Sequence, residues 1–363
     1  MNIAIVGATG MVGQKFLQLI EERNFPAKEI RPFASQKNEG KKIFFRSQEW
    51  TLQTLKEGCF NNLDIVFFSS GEEISLKWAP KAAQAGALVI DNSSAFRMEK
   101  HIPLVVPEVN GEQLAKLKRG VGDIIANPNC STIQLVLALN PLNSSFGLES
   151  VHVSSYQSLS GAGQKTLTLL KQESQAILDP KGLISENSGK VIPALDKINP
   201  KGLISVSLPS DVRSYAFNCI PQIGTINENG FSTEETKLMR ETKKILNLPD
   251  LKISATAVRV PTFNGHGEAV IVTFKKPANK EEVIMALEKQ ENLTVLQGEH
   301  IPHQRFVDEK DDVYVGRIRT VPESEGKSWM MWIAADNLRK GAALNGLQIA
   351  EILTKLSEQK RES

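Results

Sequence analysis

A glycine-rich turn near the N-terminus constrains the fold of this chain more than any other feature. The apolar stretch Asn2–Val6 predicts a buried strand, and Gly7-Ala8-Thr9-Gly10-Met11-Val12-Gly13 follows it and opens a helix. In such a turn the first glycine allows the tight bend, the second lets a phosphate approach the backbone, and the third lets helix and strand pack closely. The helix start then offers N–H groups and a positive dipole to a pyrophosphate. A glycine turn without a ligand is the alternative. We expect a dinucleotide here, held by Gly7, Thr9, Gly10, Met11, Val12 and Gly13.

The first 129 residues alternate between strand-like and helix-like patterns. Short continuous apolar runs are typical of strands buried on both faces of a parallel sheet. The alternation predicts an α/β fold with an N-terminal Rossmann-type dinucleotide-binding domain. The predicted strands are Ile3–Val6, Ile30–Ala34, Asp64–Phe68, Ala87–Ile90, Leu104–Val106 and Asp123–Ala126, and the helices between them include Val12–Glu22 and Leu76–Ala85.

Beyond residue 150 the pattern changes to longer stretches with period-two alternation. Such stretches predict a second, α+β domain built on a mixed sheet. Its predicted strands are Ser150–Gln157, Lys252–Val258, Glu268–Phe274, Val313–Arg319 and Ser328–Ala335.

Three helices are predicted in this second half, over Thr166–Leu178, Thr233–Leu246 and Ala343–Leu356. Ser232, followed three residues later by Glu235, spells a capping box at the start of the second of them. The segment 179–211 is rich in Gly, Pro, Ser and Asn and predicts long irregular structure. We expect one domain over 1–129 with 337–363, and another over 130–336.

Composition excludes several classes of protein. In 363 residues, 43 Lys and Arg oppose 41 Asp and Glu, and without a clustered basic run we expect no nucleic-acid partner. The longest apolar runs fall far short of the ~20 residues that a membrane span requires. The 3 cysteines form no CxxC pair and no closed disulfide framework. These features favour a cytoplasmic protein.

The residues after the second predicted strand indicate which dinucleotide binds. NAD-specific sites usually carry an acidic residue there, which holds the ribose 2′-hydroxyl. Here Ser35, Gln36 and Lys37 supply a hydroxyl, an amide and a cation instead. This set favours the 2′-phosphate of NADP, although Lys37 on a solvated loop is the alternative and Glu39 lies nearby.

Cys130 is the candidate nucleophile. It follows Asn127-Pro128-Asn129 and precedes the apolar helical run Ile133–Leu139, so it lies at a helix start. The helix field there is expected to lower the pKa of the thiol and to favour thiolate. A buried, unreactive cysteine is the alternative, and it fits Cys59 and Cys219 better. A nucleophilic cysteine beside a nicotinamide implies thiohemiacetal and thioester chemistry.

At this point the sequence resembles the aspartate-β-semialdehyde dehydrogenase family. The resemblance runs from the N-terminal glycine turn to the C-terminal stretch Asp336-Asn337-Leu338-Arg339-Lys340-Gly341-Ala342-Ala343-Leu344-Asn345. Its most specific segments are Asn127–Thr132, Ser154 with Tyr156 and Gln157, Ser160-Gly161-Ala162-Gly163, Glu234 with Lys237, and Arg259 with His266.

The resemblance implies roles for these residues. Cys130 would be the acyl-forming nucleophile, Gln157 would orient the acyl group, and His266 would be the general acid/base. Arg259 would bind the substrate carboxylate and Glu234 its ammonium group. The phosphate would be bound by Arg97, Asn129 and Lys237, and the nicotinamide half of NADP(H) would lie near Ser160, Gly161, Gly163 and Asn337. A solvated loop histidine and an i,i+3 surface pair of Glu234 with Lys237 are the alternatives.

The implied reaction is the NADP-dependent conversion of L-β-aspartyl phosphate to L-aspartate 4-semialdehyde, with inorganic phosphate as co-product. It belongs to lysine, threonine and methionine biosynthesis. The family also implies a homodimer or homotetramer, with 130–336 as the catalytic and dimerisation domain. We expect no metal, because the pair His300 and His303 lacks a third ligand.

Three other classes compete with this interpretation. An N-acetyl-γ-glutamyl-phosphate reductase would use the same logic, but its acetylated amine carries no charge for Glu234 to pair. A non-catalytic relative of the same fold is disfavoured by the intact set Cys130, Gln157, Arg259 and His266. A glyceraldehyde-phosphate type of enzyme has a different sequence around its nucleophile.

Overall fold

The computed structural model describes residues 1–117, 122–178 and 214–362. Two β-sheets organise this part of the chain, one of five strands and one of six, together with a two-stranded hairpin. The strands are β1 (Asn2–Val6), β2 (Glu29–Phe33), β3 (Lys42–Phe45), β4 (Gln48–Thr51), β5 (Ile65–Phe68), β6 (Leu88–Asp91), β7 (Ile124–Ala126), β8 (Leu148–Gln157), β9 (Lys252–Arg259), β10 (His266–Phe274), β11 (Leu293–Val295), β12 (Val313–Thr320) and β13 (Ser328–Ala335). The α-helices are α1 (Met11–Glu22), α2 (Glu72–Gln84), α3 (Pro107–Asn110), α4 (Cys130–Phe146), α5 (Gln164–Leu178), α6 (Thr233–Ile245), α7 (Lys280–Glu288) and α8 (Leu344–Glu362).

The five-stranded sheet is parallel throughout, with the order β2-β1-β5-β6-β7. Successive side chains of a strand point to opposite faces, so Ile3 and Ile5 join one apolar core and Ala4 and Val6 join the other. This burial on both faces confirms the predicted parallel sheet of an α/β domain. The strand order reverses at β1, and Gly7 follows the carboxyl end of that strand, where open α/β sheets bind their ligands.

One predicted strand in this half was wrong. Leu104–Val106 makes only an isolated bridge, between Leu104 and Ala126. The side chain of Asn110 takes the neighbouring backbone groups: its Oδ1 accepts from the N–H of Val106 at 2.9 Å, and its Nδ2 donates to the carbonyl of Leu104 at 2.9 Å. With those groups occupied and Pro107 opening α3 directly afterwards, a longer ladder does not form.

The six-stranded sheet is mixed, as predicted, with the order β11-β12-β13-β10-β8-β9. Strands β8 and β9 run parallel, whereas β10 runs antiparallel to both of its neighbours, β8 and β13. Apolar residues of this sheet and of α4, α6 and α7 share one core, which is continuous with one face of the parallel sheet. The two sheets are therefore joined through α4.

The capping box at the start of α6 is confirmed. The N–H of Ser232 donates to Glu235 Oε2 at 2.6 Å, and the N–H of Glu235 donates to Ser232 Oγ at 3.3 Å. The predicted irregular segment 179–211 lies outside the described residues. Within the part of the chain that the structure describes, no helix combines the length and apolarity that a membrane span needs.

The C-terminal helix begins after a π-helical turn over Arg339–Ala343. Leu347 and Ala350 of α8 pack in the same core as Ile3 and Ile5 of β1. The chain thus returns from the mixed sheet to cover one face of the parallel sheet.

Candidate active site

Cys130 is the first residue of α4, as the sequence predicted. Asn129 is the N-cap: its Oδ1 accepts hydrogen bonds from the N–H groups of Ser131, at 3.0 Å, and Thr132, at 3.3 Å. Asparagine is among the preferred residues at this position because its side chain satisfies N–H groups that have no partner inside the helix. The cap therefore fixes where the helix begins and where the thiol stands.

The predicted low pKa of this thiol was wrong for the free protein. Burial, reinforced by the negative charge of Glu234, raises the pKa of Cys130 to about 12, and the opposing guanidinium groups of Arg97 and Arg259 do not offset it. Desolvation disfavours the charged form of any acid, and here it exceeds the field of the helix. The free protein holds a protonated thiol at neutral pH.

The other two cysteines are also free thiols. Cys59 is half-buried, and burial raises its pKa. Cys219 is exposed, which corrects the expectation that it is a buried cysteine. Neither has the helix start and the charged neighbours of Cys130.

Three predicted site residues meet at one edge of the mixed sheet. Gln157 ends β8 and pairs in register with Arg259, which ends the parallel strand β9. His266 begins β10, which runs antiparallel to β8, so its first residue lies at the edge where β8 ends. The sheet topology therefore brings together an amide, a guanidinium and an imidazole that are far apart in sequence.

Glu234 joins this edge to helix α4, which begins at Cys130. Its Oε1 accepts from Asn129 Nδ2 at 2.7 Å and from Gln157 Nε2 at 3.1 Å. Lys237 Nζ lies 3.6 Å from Glu234 Oε2, so the expected i,i+3 pair does form. Only 6% of Glu234 is exposed, however. A simple surface pair is therefore not an adequate description of this carboxylate.

His266 is fully buried, which excludes the solvated-loop alternative. Its Nδ1 accepts from the N–H of Ser158 at 3.1 Å, while its Nε2 has no hydrogen-bond partner among the described residues. A backbone N–H can only donate, so a neutral ring must carry its proton on Nε2. Burial, with the nearby charge of Arg259, lowers the pKa of His266 to about 3. The ring is therefore neutral at physiological pH.

The turn Leu159–Ala162 lies against two of the predicted site residues, Arg259 and His266. A methyl group on Gly161 would lie 3.3 Å from both Arg259 Nη1 and His266 Nε2. Arg259 itself is buried and donates from Nη1 to the carbonyl of Ser158 at 2.7 Å. The predicted glycine turn therefore lies beside Arg259 and His266, and its expected contact with the nicotinamide stays a prediction.

Arg97 is buried and held by protein partners. Its Nη1 donates to Glu241 Oε1 at 3.0 Å, and its Nε donates to the carbonyl of Asn127 at 2.9 Å. Glu241 Oε2 in turn accepts from the N–H of Asn129 at 2.7 Å. Sequence reasoning missed Glu241, although helical periodicity could have found it, since it lies seven residues after Glu234 on α6.

The first glycine turn has the geometry of a phosphate cradle. Gly7 has φ +90°, and a methyl group there would lie 2.8 Å from the carbonyl oxygen of Ser69. A methyl group on Gly13 would lie 2.3 Å from the carbonyl oxygen of Gly7. No side chain caps α1 at Gly10, so the first N–H groups of the helix are left for a ligand. The residues present fit a dinucleotide.

The residues expected at the adenosine ribose are exposed beside this cradle. Ser35, Gln36 and Lys37 follow β2, in and next to a short 3-10 turn. Glu39 accepts a hydrogen bond from Thr54 Oγ1 at 2.8 Å, so its carboxylate already has a partner within the protein.

Asn337 holds two parts of the site together. Its Oδ1 accepts from the N–H of Gly265 at 2.9 Å and from Ser158 Oγ at 3.1 Å. Its Nδ2 donates to Ser160 Oγ at 2.9 Å. The side chain is buried. Asn337, predicted to lie at the cofactor, therefore lies under the turn Leu159–Ala162 and not on an open surface.

The fold and the site together define a class of protein. Residues 2–117 match the family described as "Semialdehyde dehydrogenase, NAD binding domain", and residues 139–340 match "Semialdehyde dehydrogenase, dimerisation domain". Both halves of the chain therefore match the semialdehyde dehydrogenase class.

Comparison with individual proteins narrows the family. The chain is 43% identical to aspartate-semialdehyde dehydrogenase of Aquifex aeolicus (strain VF5) over 98% of each chain. Its structure is similar to that of aspartate semialdehyde dehydrogenase II complexed with ASA from Vibrio cholerae, with TM-score 0.86 and 41% identity over 98% of each chain. It is also similar to the Candida albicans enzyme with NADP, with TM-score 0.72 and 26% identity over 97% of this chain and 98% of that one. The chain belongs to the aspartate-semialdehyde dehydrogenase family.

Proposed function

We propose that this chain catalyses the reversible, NADP-dependent reductive dephosphorylation of L-β-aspartyl phosphate to L-aspartate 4-semialdehyde. The observation that carries the proposal is that Glu234 links Asn129, which caps α4 at Cys130, to Gln157 at the sheet edge that also holds Arg259 and His266. The product is a precursor of lysine, threonine and methionine.

Arg259 and Glu234 recognise the two charged groups of the amino acid. Among the described residues Arg259 donates to Ser158 from Nη1 alone, so its other N–H groups can bind the substrate carboxylate in a two-pronged contact. Glu234 is a buried carboxylate whose close partners are the neutral amides of Asn129 and Gln157. A substrate ammonium supplies the cation that a buried carboxylate needs.

The phosphate is bound by Lys237, Asn129 and Arg97. Lys237 is half-buried and pairs only loosely with Glu234, at 3.6 Å, so it can turn to a phosphate oxygen. Arg97 stays where Glu241 holds it and contributes its charge. Together these groups stabilise the negative charge that develops on the leaving phosphate.

Acyl transfer begins at the thiol of Cys130. The sulfur attacks the acyl carbon, the bond from that carbon to the phosphate oxygen breaks, and the thiol proton leaves with the released phosphate. A thioester on Cys130 remains. Gln157 orients the acyl group, because its amide is fixed by Glu234 at 3.1 Å and by Ser155 Oγ at 3.2 Å.

Reduction of the thioester requires a hydride and a proton. Bound NADPH supplies the hydride from its nicotinamide. The Nε2–H of His266 donates to the carbonyl oxygen, which carries negative charge as the thiohemiacetal forms. Collapse of the thiohemiacetal oxyanion re-forms the C=O bond of the aldehyde, breaks the C–S bond and releases Cys130 as a thiolate, which takes its proton from solvent.

Several features support NADP as the cofactor. The backbone cradle at Gly7, Gly10 and Gly13 would hold the pyrophosphate. Ser35, Gln36 and Lys37 would hold the 2′-phosphate, with Glu39 turned towards Thr54. The relative from Candida albicans whose structure is described as containing NADP shares the fold.

The same proposal covers domain division, assembly and compartment. We assign 1–129 with 337–363 to the NADP-binding domain and 130–336 to the catalytic and dimerisation domain. Residues 139–340 match a dimerisation domain, which supports a homodimer or homotetramer. The free thiols of Cys59, Cys130 and Cys219 suit the reducing cytoplasm.

A spectrophotometric assay tests the proposal. L-aspartate semialdehyde, inorganic phosphate and NADP or NAD are mixed with the wild type, with Cys130→Ala, and with Cys219→Ala as a matched control at an exposed thiol. We expect phosphate-dependent nicotinamide reduction by the wild type and the control, its loss in Cys130→Ala, and a preference for NADP. No turnover by a wild type that still binds cofactor would overturn the proposal, and turnover of the N-acetylglutamyl semialdehyde instead would identify the substrate.

A further inference from the structure

The polar residues between β13 and α8 are only partly explained by the proposed reaction. Asn337 holds the glycine turn, but Lys340 and Asn345 have no role in the chemistry above. Both are fully buried, with 0% of each side chain exposed. Burying a lysine is costly unless its charge is paired, so its surroundings indicate what it does.

The π-helical turn Arg339–Ala343 lies directly against the nucleophile. A methyl group on Gly341 would lie 3.1 Å from Cβ of Cys130, a distance at which one of the two residues would have to shift. Single π-helical turns are rare and occur frequently at functional sites. The position of this turn therefore limits where Cys130 can stand.

Lys340 fixes the turn through a buried ion pair. Its Nζ donates to Glu108 Oε1 at 2.6 Å, to Glu108 Oε2 at 2.8 Å and to Gln348 Oε1 at 2.7 Å. Only 3% of the Glu108 side chain is exposed, and the same carboxylate accepts from Asn292 Nδ2 at 2.6 Å. The pair thus connects the turn to α3 and to the loop before β11.

Asn345 fixes the loop that leads into α4 and Cys130. Its Nδ2 donates to Asn127 Oδ1 at 2.7 Å and to the carbonyl of Val105 at 2.9 Å. Asn127 Nδ2 donates back to the carbonyl of Ala342 at 3.2 Å. Since Asn127 lies three residues before Cys130, the loop into α4 and the π-helical turn are joined.

We propose that Lys340, paired with Glu108, is a positioning residue for Cys130. The pair holds Gly341 against the nucleophile, and Asn345 locks the loop that leads to it. The proposal rests on the proposed function, in which Cys130 is the nucleophile. A buried pair of this kind does not guarantee stability, because apolar residues of similar volume often replace such pairs without loss. Its value here lies in setting the position of the thiol.

Two variants test the proposal by different routes. Lys340→Met removes the charge but keeps a long side chain, and Gly341→Ala pushes on Cys130 while leaving the ion pair intact. Misplacement of a reacting group by about 1 Å can cost about a hundredfold in rate. We expect kcat to fall by roughly tenfold to a hundredfold in both variants, with the KM values for substrate and NADP little changed.

Each variant has a matched control. Arg31→Met breaks the pair with Glu29, 3.1 Å apart, which lies within strand β2 and involves no residue of the π-helical turn. Gly111→Ala adds a methyl group whose nearest neighbour would be Cδ1 of Ile352, at an ordinary 3.8 Å. We expect both controls to keep the wild-type kcat.

The double variant Lys340→Met with Glu108→Gln separates positioning from stability. It removes the buried carboxylate that the single variant leaves unpaired, so Tm should recover towards the wild type while kcat stays low. Recovery of kcat together with Tm would overturn the proposal, as would an unchanged kcat in Gly341→Ala.

Alkylation of Cys130 by iodoacetamide provides a readout that needs no turnover. Because the tight packing at Gly341 contributes to the burial of the thiol, the double variant should shift the pH midpoint of alkylation downwards, and Gly111→Ala should leave it unchanged. A wild type without turnover would refute the proposed function only. An unshifted alkylation profile in the double variant would refute the positioning role itself.

Discussion

The backbone N–H of Ser158 donates to Nδ1 of His266 across 3.1 Å and so fixes which ring nitrogen carries the proton. The Nε2–H that results has no partner among the described residues and is available to a substrate. In the free protein Nε2 of His266 is therefore a hydrogen-bond donor, and the part of His266 in proton transfer stays a prediction.

His266 should make the stability of the protein depend on pH. Its pKa is lowered to about 3 in the folded protein, against about 6.5 when unfolded. Between these pH values His266 binds a proton in the unfolded chain but not in the folded protein. The free energy of unfolding should therefore be highest above about pH 6.5 and fall by up to about 1.4 kcal/mol per pH unit below it. Urea unfolding of wild type and His266→Gln between pH 4 and 7 measures this.

The variant should lose this part of the pH dependence, whereas His101→Gln, at an exposed histidine, should keep it. Removing this hydrogen-bond donor should also lower kcat by about a hundredfold or more. An equal slope in wild type and His266→Gln would contradict the assignment of a buried neutral ring.

Glu234→Gln should have opposite effects on two measurements. The KM for aspartate semialdehyde should rise by roughly tenfold to a hundredfold, because the substrate ammonium loses a charged partner. Alkylation of Cys130 in the free protein should become faster, because the negative charge of Glu234 raises the pKa of that thiol. Burial is the larger cause, so the pKa should remain above its ordinary value.

Glu228→Gln, at an exposed carboxylate before α6, is the control for both measurements. Unchanged alkylation in Glu234→Gln would show that the charge of Glu234 does not act on the thiol.

Arg259→Lys should separate binding from chemistry. A lysine ammonium cannot maintain the bond to the carbonyl of Ser158, 2.7 Å long, and also contact both oxygens of a carboxylate. Steady-state kinetics should show KM for aspartate semialdehyde raised by about tenfold or more, with a smaller change in kcat. The control Arg319→Lys, at an exposed arginine, should leave KM and kcat unchanged. An unaltered KM in Arg259→Lys would rule out the carboxylate contact.

Lys37→Ala should weaken NADP specifically. The lost contact is between an exposed cation and a phosphate, so we expect KM for NADP to rise by about tenfold and KM for NAD to stay the same. Lys41→Ala is the control, because this neighbouring lysine donates to Asn38 at 2.9 Å within the same loop. The NADP/NAD ratio of kcat/KM measures the effect, and equal weakening of both cofactors would remove Lys37 from the 2′-phosphate site.

Local features of the site were predictable from the sequence. The glycine turn and the start of α4 follow from neighbouring residues, because Asn129 caps the helix at Cys130 through its own side chain. Helix α7 could have been found in the same way, since Asn279 and Glu282 form a capping box that was not used.

Features that depend on tertiary packing were not predictable. The raised pKa of Cys130 follows from burial and from Glu234, which is distant in sequence. The loss of the strand at Leu104 depends on Asn110. Glu108 and Lys340 are 232 positions apart, so their ion pair could not be predicted. Its relation to Cys130 follows only from the packing of the π-helical turn against that residue. The residues named by resemblance stay predictions for the experiments above.

The central claim, that Cys130 carries the acyl group, can be tested most directly by trapping. The protein is mixed with L-β-aspartyl phosphate in the absence of NADPH, quenched in acid, digested and examined by mass spectrometry. The account predicts one aspartyl group on the peptide that contains Cys130, none on those that contain Cys59 or Cys219, and discharge of the group when NADPH is added before the quench. A protein that turns over but shows no adduct, or shows it on another cysteine, would contradict the account.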